Sequence, residues 1–111
     1  MKIGIRTKGL PNDAVARERV RRRLRFALSR FADRIERVSI SLEDVNGPKG
    51  GPDKRCRIRL SLSGGGDPLL AEDLDSDIFV AIDRASKRLG RSVSRRLDRG
   101  RSLPSERAPS S

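Results

Sequence analysis

The sequence contains no histidine, no tryptophan and no tyrosine, and Cys56 is its only cysteine. A single cysteine excludes an intramolecular disulfide. The absence of histidine excludes His-based catalytic triads and the common zinc clusters of Cys and His. We therefore expect neither an enzyme nor a bound metal, cofactor or small-molecule substrate.

Long apolar runs are absent as well. The N-terminal segment MKIGIRTKGL has no apolar stretch of the about seven residues that a signal peptide needs. Nothing later in the chain approaches the about 20 apolar residues of a membrane-spanning helix. We expect a cytoplasmic protein with no membrane partner.

Acidic residues are few relative to basic ones. The 15 Asp and Glu are outnumbered by 26 Lys and Arg, which gives the 111-residue chain a formal net charge of +11. Leu, Ile, Val and Phe still number 28, a share above the roughly 20% below which highly charged chains stay disordered. One folded domain is therefore expected. Its positive charge favours a polyanionic partner, of which phosphate-bearing nucleic acid is the commonest.

The first third of the chain is predicted to form a strand and a helix. Alternation from Lys2 to Arg6 is typical of a short strand, which Lys8-Gly9 ends. Asn12 and Asp13 form a helix start signal, because either side chain can cap the amides of a first turn. The apolar stripe expected on this helix is Val20, Leu24, Ala27, Leu28, Phe31 and Ile35.

The middle of the chain alternates with a period of two, which predicts three more strands. The predicted strands are Glu36 to Val45, Lys54 to Ser63 and Leu69 to Leu74. A glycine-rich hairpin loop, Asn46 to Pro52, separates the first two of them. Cys56 is expected to point inward as a small buried hydrophobe, and Arg55, Arg57 and Arg59 are expected to point outward.

The last third predicts a long helix from Asp77 to Arg99, capped by Asp75 or Ser76. Its apolar stripe steps by three or four residues through Ile78, Ile82, Ala85, Leu89, Val93 and Leu97. Gly90 interrupts this helix at a cost of about 1 kcal/mol relative to Ala. It would permit close backbone approach, either to the partner or to the first helix.

The order β-α-β-β-β-α predicts an α+β fold with a four-stranded mixed sheet. Two strands separated by a helix imply a parallel crossover, and the hairpins that follow imply an antiparallel meander. Both basic amphipathic helices should then pack on one sheet face and leave the other in water. The folded domain is expected to span 1–99. The tail, 100–111, is rich in Ser, Pro and Arg without periodicity and is predicted to be disordered.

Both helices carry more positive charge than their own carboxylates can balance. Between Asp13 and Arg34 there are eight basic and three acidic residues, and between Asp77 and Arg99 there are seven and three. The basic residues considered for binding are Arg17, Arg21, Arg22, Arg23, Arg25, Arg30, Arg84, Lys87, Arg88, Arg91, Arg95 and Arg96. Arginine presents a planar fork of donors that matches phosphate.

RNA is favoured over DNA, because neither helix has the Asn or Gln beside its arginines that would read bases in a groove. Stacking on unpaired bases is not expected, since the only aromatic residues are three Phe. Phe31 and Phe79 belong to or adjoin the apolar stripes. Phe26 lies off the stripe, which leaves exposure as an alternative, but packing at the edge of the core is the favoured expectation.

Two further charged segments can be explained by a structural role without binding or catalysis. Arg55, Arg57 and Arg59 either contact RNA or simply solubilise the open sheet face. The segment from Asp67 to Asp77 has five carboxylates and no basic residue. Because acidic residues favour a helix N-terminus, we expect it to serve the last helix and to stay away from phosphates, without catalysis.

Three features together resemble a known family: DIFVAID at Asp77 to Asp83 continuing through KRLGRSVSRR, the helix RERVRRRLRFALSRFADRI, and the element order. Over Met1 to about Arg99 the sequence is similar to the ribosome hibernation-promoting factors and ribosome-associated inhibitors. This group is also called the protein Y or sigma-54 modulation family. The length of the chain fits the short form of the family.

The resemblance implies a protein that binds the decoding region of the small ribosomal subunit and blocks the mRNA path and tRNA sites in stress or stationary phase. It would act without other ligands and be a monomer off the ribosome. The positions that match basic family residues are Arg22, Arg23, Lys54 or Arg55, Arg88, Arg91 and Arg95. With Arg30, Arg84 and Lys87 from the charge argument, these form the predicted ribosomal RNA site.

The sequence also departs from the family. Gly90 stands where relatives often carry a charged helix former, and the chain is expected to lack the C-terminal domain with which long members pair ribosomes. Whether it promotes or prevents ribosome pairing therefore stays open. The alternatives are a general double-stranded-RNA-binding or RNA-chaperone module, and an interaction protein for acidic proteins or anionic membranes.

Overall fold

The computed structural model describes residues 1–11, 13–45 and 53–102, and its elements follow the predicted order. They are β1 (Lys2–Lys8), α1 (Asp13–Leu28), a 3-10 helix (Ser29–Arg34), β2 (Ile35–Asp44), β3 (Lys54–Leu62), β4 (Leu69–Asp75) and α2 (Ile78–Ser102). The predicted loop from Asn46 to Pro52 lies outside the described residues.

The four strands form one mixed sheet in the order β1-β2-β3-β4. β1 pairs parallel with β2, and the other two pairs are antiparallel, which confirms the predicted fold class. Register aligns Ile5 with Ile40, Ile40 with Ile58, and Ile58 with Ala71 in one row across the sheet. Because side chains alternate along a strand, this row belongs to the face that packs on the helices.

The core lies between this sheet face and the two helices. Both predicted apolar stripes point into it: Val20 and Leu24 of α1, and Ile82, Leu89 and Val93 of α2, are fully buried. Each such side chain stabilises the fold by about 1.5–3 kcal/mol relative to an exposed one. The helices can therefore expose their arginines only on the sides that do not face the core.

The end of the first helix differs from the prediction. α1 ends at Leu28, a 3-10 helix follows, and Ile35 is the first residue of β2 instead of the last of a helix. Phe31 and Ile35 are buried as expected. A step of three residues fits an α-helix and a 3-10 helix equally well, so the apolar spacing could not locate the change.

The start of α2 differs by one or two residues. Its cap is Asp77, whose Oδ1 accepts a hydrogen bond from the Phe79 amide at 2.9 Å. Asp75 instead accepts one from the Asp77 amide at 2.9 Å. The helix continues to Ser102, past the predicted boundary at Arg99. The rest of the predicted disordered tail lies outside the described residues.

Two glycines have clear structural reasons. Gly9, which follows β1, has a φ of +74°, in the left-handed region that side chains with a Cβ avoid. Gly90 faces α1, and a Cβ added to it would lie 3.3 Å from the Cβ of Ala27. The close approach that Gly90 permits is therefore to the first helix.

Cys56 is fully buried in β3, as predicted. Burial, together with the nearby negative charge of Asp73, raises the pKa of its thiol to about 12. At neutral pH the side chain is a protonated, apolar part of the core, because the reactive form of cysteine is the thiolate.

Replacing Gly90 by Leu should destabilise the protein by about 1–3 kcal/mol, because the larger side chain must push α1 away. Leucine is a strong helix former, so any loss reports the contact between helices and not helix propensity. Urea unfolding measures the change. Arg91→Leu, one residue along on the exposed side, is the control and should stay close to the wild type; equal losses would contradict this role for Gly90.

The thiol of Cys56 should not react with Ellman's reagent at about pH 8 in the folded protein, because it is both buried and protonated. One equivalent should react within seconds after unfolding in urea. A variant with Ser39→Cys, on the exposed sheet face, should release one equivalent at once while folded. Prompt labelling of the folded wild type would show that β3 opens readily.

Candidate nucleic-acid interface

The exposed side of α2 carries three cations that form no ion pair with a described residue. Lys87, Arg91 and Arg95 are exposed, and none makes an ion pair with another described residue. Arg22 on α1 is exposed and free of ion pairs in the same sense. These four predicted site residues are available to an incoming phosphate without breaking an ion pair to a described residue.

A groove of about 680 Å³ runs between α1 and α2, on the side away from the sheet. Ala27, Ser86 and Gly90 lie along it where the helices come closest. Its basic residues are Arg23, Arg30, Lys87 and Arg91, which were predicted from separate parts of the sequence. We call this feature the interhelical groove.

One carboxylate, Asp83, lies in the interhelical groove and joins the two helices. Its Oδ1 is 3.0 Å from Arg23 Nε, and its Oδ2 is 3.1 Å from Arg19 Nη2. Burial raises the pKa of Asp83, but hydrogen bonds and charge from the two arginines outweigh burial, and the net pKa is lowered. The sequence analysis did not predict these ion pairs, because Asp83 is 60 or more residues from each arginine and no local pattern connects them.

Arg30 is held against the end of the interhelical groove. Its guanidinium lies over the Phe31 ring, 4.6 Å from the centroid, and its Nη2 donates to Ser94 Oγ at 3.2 Å. A cation on an aromatic face is stabilised by about 0.5–1 kcal/mol at an exposed site. The side chain is therefore held in place, and no carboxylate of the described residues forms an ion pair with it.

Arg84 and Arg88 lie on the other side of α2, over the acidic strand β4. Arg84 Nη1 is 3.2 Å from Asp75 Oδ1, and Arg88 Nη2 is 3.1 Å from Asp73 Oδ1. Arg88 also donates to the backbone oxygen of Glu72 at 2.6 Å. The acidic segment thus lies beside two predicted site residues and partly neutralises them, although both remain about half exposed.

Lys54 and Arg55 lie apart from the other predicted site residues, at the start of β3. Lys54 Nζ is 2.9 Å from Asp53 Oδ1, and a hydrogen bond to Asp53 is the largest cause that raises its pKa. Arg55 Nη2 is 2.8 Å from Glu43 Oε1, and this hydrogen bond is the main cause that lowers the pKa of Glu43. Both basic side chains are largely buried and already paired.

The open face of the sheet has a second basic surface. Arg6, Arg57 and Arg59 border a shallow depression at Ser39 and Ser41, on the side opposite the helices. Arg57 Nε is 3.4 Å from Glu72 Oε1. The outward direction predicted for Arg57 and Arg59 is confirmed, and β1 adds Arg6 to them.

Phe26 is the main error of the sequence interpretation at this site. It was expected at the edge of the core, but its side chain is 83% exposed and borders the interhelical groove. Arg23, Phe26 and Ala27 share one side of α1, because they follow the spacing i, i+3, i+4, and Arg30 of the following 3-10 helix borders the same groove. An apolar ring therefore stands among the cations.

Within residues 1–11, 13–45 and 53–102, no group of three or more His, Cys, Asp or Glu is arranged to hold a metal ion. Neither described α-helix is long and apolar enough to cross a membrane. The chemistry that the site offers is charge, hydrogen-bond donation and one exposed ring.

Comparison with known proteins identifies relatives of the whole fold. The family model described as sigma 54 modulation protein / S30EA ribosomal protein matches residues 3–101. Among solved structures, the Thermus thermophilus protein Y N-terminal domain is 30% identical, with a TM-score of 0.66 over 86% of this chain and 98% of that chain. A ribosomal subunit interface protein from Coxiella burnetii is 20% identical and shares the fold, with a TM-score of 0.67 over 88% and 99%. No curated protein matches the sequence.

Replacing Asp83 by Asn should reduce the loss of stability in acid. Because the pKa of Asp83 is lowered by folding, its contribution is present above its ordinary pKa of 3.8 and is lost as the pH falls through the lowered value. At neutral pH the change should cost up to about 1 kcal/mol, as for other partly exposed ion pairs.

Urea unfolding from about pH 7 to pH 2 measures this dependence. Asp33→Asn removes an exposed carboxylate that has no ion pair to a described residue, and it should leave the acid slope unchanged. The role assigned to Asp83 is wrong if the two variants have the same slope as the wild type.

Proposed function

The chain belongs to the sigma 54 modulation protein / S30EA ribosomal protein family, and on this premise we propose that it is a ribosome-associated translation inhibitor. It binds the decoding region of the small ribosomal subunit and occludes the mRNA path and the tRNA sites. Its action belongs to stress or stationary phase in the cytoplasm. Off the ribosome it is a monomer.

The observation that carries the proposal is the cluster of unneutralised cations on one side of the molecule. Lys87, Arg91 and Arg95 have no ion pair within the described chain, and Arg30 is fixed without a carboxylate. Guanidinium forks match the paired oxygens of phosphate. A surface of this kind contacts the RNA backbone by its geometry and charge, as A-form RNA requires.

The mechanism is steric and needs no covalent step. The helices are held by a continuous core, so the cationic side forms a stiff surface that fills space where mRNA and tRNA must pass. Each phosphate that is neutralised releases counterions, which makes binding reversible and strongly dependent on salt. The family to which the chain belongs is one of ribosome-associated modulation factors and is not a family of enzymes.

Arg84 and Arg88 would also contact the RNA, by exchanging their carboxylate partners for phosphates. Both are about half exposed and paired with Asp73 and Asp75. Partly exposed ion pairs contribute only about 0–1 kcal/mol each. The exchange costs more at Asp73, which is 14% exposed and would be left without a cation, than at Asp75, which is 25% exposed. Lys54 and Arg55 are more deeply buried in their ion pairs, and we assign them a smaller part of the binding.

Changing Lys87, Arg91 and Arg95 together to Glu should abolish retention on the small subunit at physiological salt. The substitutions lie on the exposed side of α2, so the fold should persist. Co-sedimentation with separated small subunits, large subunits and a generic RNA duplex, over a salt series, measures the effect. The slope of log affinity against log salt should fall by about one for each lost phosphate contact.

The matched control changes Arg6, Arg37 and Arg59 to Glu on the open sheet face, with the same change in net charge. We expect this variant to bind more tightly than the helix variant. Equal losses would show that total charge, and not the helix side, determines binding. Equal retention of the wild type on every RNA would instead support a general double-stranded-RNA-binding module.

A further inference from the structure

We propose that the interhelical groove binds one unpaired nucleotide of RNA, with Phe26 as the surface on which its base stacks. The inference rests on the proposed function, since it names the part of ribosomal RNA that this side of the molecule selects. It also changes the expected mode of recognition, from phosphates alone to phosphates and one exposed base.

The first observation is the position of the Phe26 ring. It is 83% exposed, although burial of a phenylalanine would stabilise the fold by about 1.5–3 kcal/mol. The core does not require it, because Leu24 and Leu28 fill that part of the core and are fully buried. An exposed flat ring is suited to stacking, because every nucleobase has a π face of comparable extent.

The second observation is the charge around the ring. Arg23 and Arg30 from the α1 side, and Lys87 and Arg91 from α2, border the same groove. The phosphate of a nucleotide whose base stacks on Phe26, and the phosphates next to it, would lie close to these four cations. The base faces of a continuous duplex are covered by stacking, so an unpaired nucleotide fits this arrangement better than a duplex does.

The third observation is a buried hydroxyl in the wall of the groove. Ser86 is 2% exposed, and its Oγ has no hydrogen-bond partner within the described chain. A buried polar group left without a partner costs about 1–3 kcal/mol. The hydroxyl would gain a hydrogen bond from the polar edge of a base or from a ribose only where the side chains that cover it move aside.

The same observations argue against a second copy of this chain in the groove. The protein carries a net charge of +11, and four of its cations border this groove. Two such surfaces would repel each other, whereas a nucleotide brings negative charge to a groove in which Asp83 is the one carboxylate beside four cations among the described lining residues.

The experiment compares Phe26→Ala with Val15→Ala, which removes another exposed apolar side chain from the same helix. Binding is measured to small ribosomal subunits, to a single-stranded RNA decamer and to a blunt RNA duplex of equal phosphate number. Loss of one stacked base should weaken binding of Phe26→Ala to the subunit and the decamer by about fivefold to 150-fold. Duplex binding, the salt slope and every value for Val15→Ala should stay unchanged.

Phe26→Trp supplies a direct signal, because the protein has no other tryptophan and no tyrosine. The variant should keep the wild-type affinity, and its emission should be quenched on saturation with the decamer or the subunit but not with the duplex. Unchanged emission at saturation, or wild-type affinity of Phe26→Ala for both single-stranded targets, would overturn the proposal. So would emission that shifts with protein concentration when RNA is absent, since that result indicates self-association.

These outcomes are separable from failure of the proposed function. Selective binding to the small subunit that is unaffected by Phe26→Ala would support the ribosomal function and contradict the nucleotide site. Binding of the decamer that depends on Phe26, without preference for the small subunit, removes the ribosomal function and keeps the nucleotide site.

Discussion

The contact between α1 and α2 at Ala27 and Gly90 is the constraint on which the functional side of the molecule depends. Two helices with a large excess of positive charge repel each other, yet a Cβ on Gly90 would lie only 3.3 Å from that of Ala27. Burial of both apolar stripes on one sheet supplies the attraction, and Asp83 supplies a carboxylate between Arg19 and Arg23. A bulkier residue at position 90 would separate the helices and change the groove.

The carboxylates divide the basic residues into two kinds. Arg55, Arg84 and Arg88 have acidic partners at the sheet or at β4, so part of their charge serves the fold. Lys87 and Arg91 have no such partners within the described chain, and their charge is directed to solvent. The net charge therefore does not tell which cations are ready to bind, and the pairing of each side chain is the better guide.

The structure brings Arg23, Arg30, Lys87 and Arg91 of the predicted site to one groove and leaves Lys54 and Arg55 apart from them. The helical residues follow from periodicity, because the side of a helix opposite its apolar stripe must face water. Lys54 and Arg55 were named through family resemblance, but they are partly buried and already form ion pairs with Asp53 and Glu43. Phe26 was misjudged because hydrophobicity alone favoured burial, whereas its position on α1 points it away from the sheet.

The sequence by itself determined the element order, the mixed sheet, the two buried stripes and the basic character of the surface. These features follow from periods of two and 3.6 residues and from composition, which are local properties. Only the tertiary structure decided that Gly90 meets Ala27, that Asp83 joins the helices, and that Phe26 stands beside a cationic groove. Such pairings join residues far apart in the chain, and they form only when both helices pack on the same sheet.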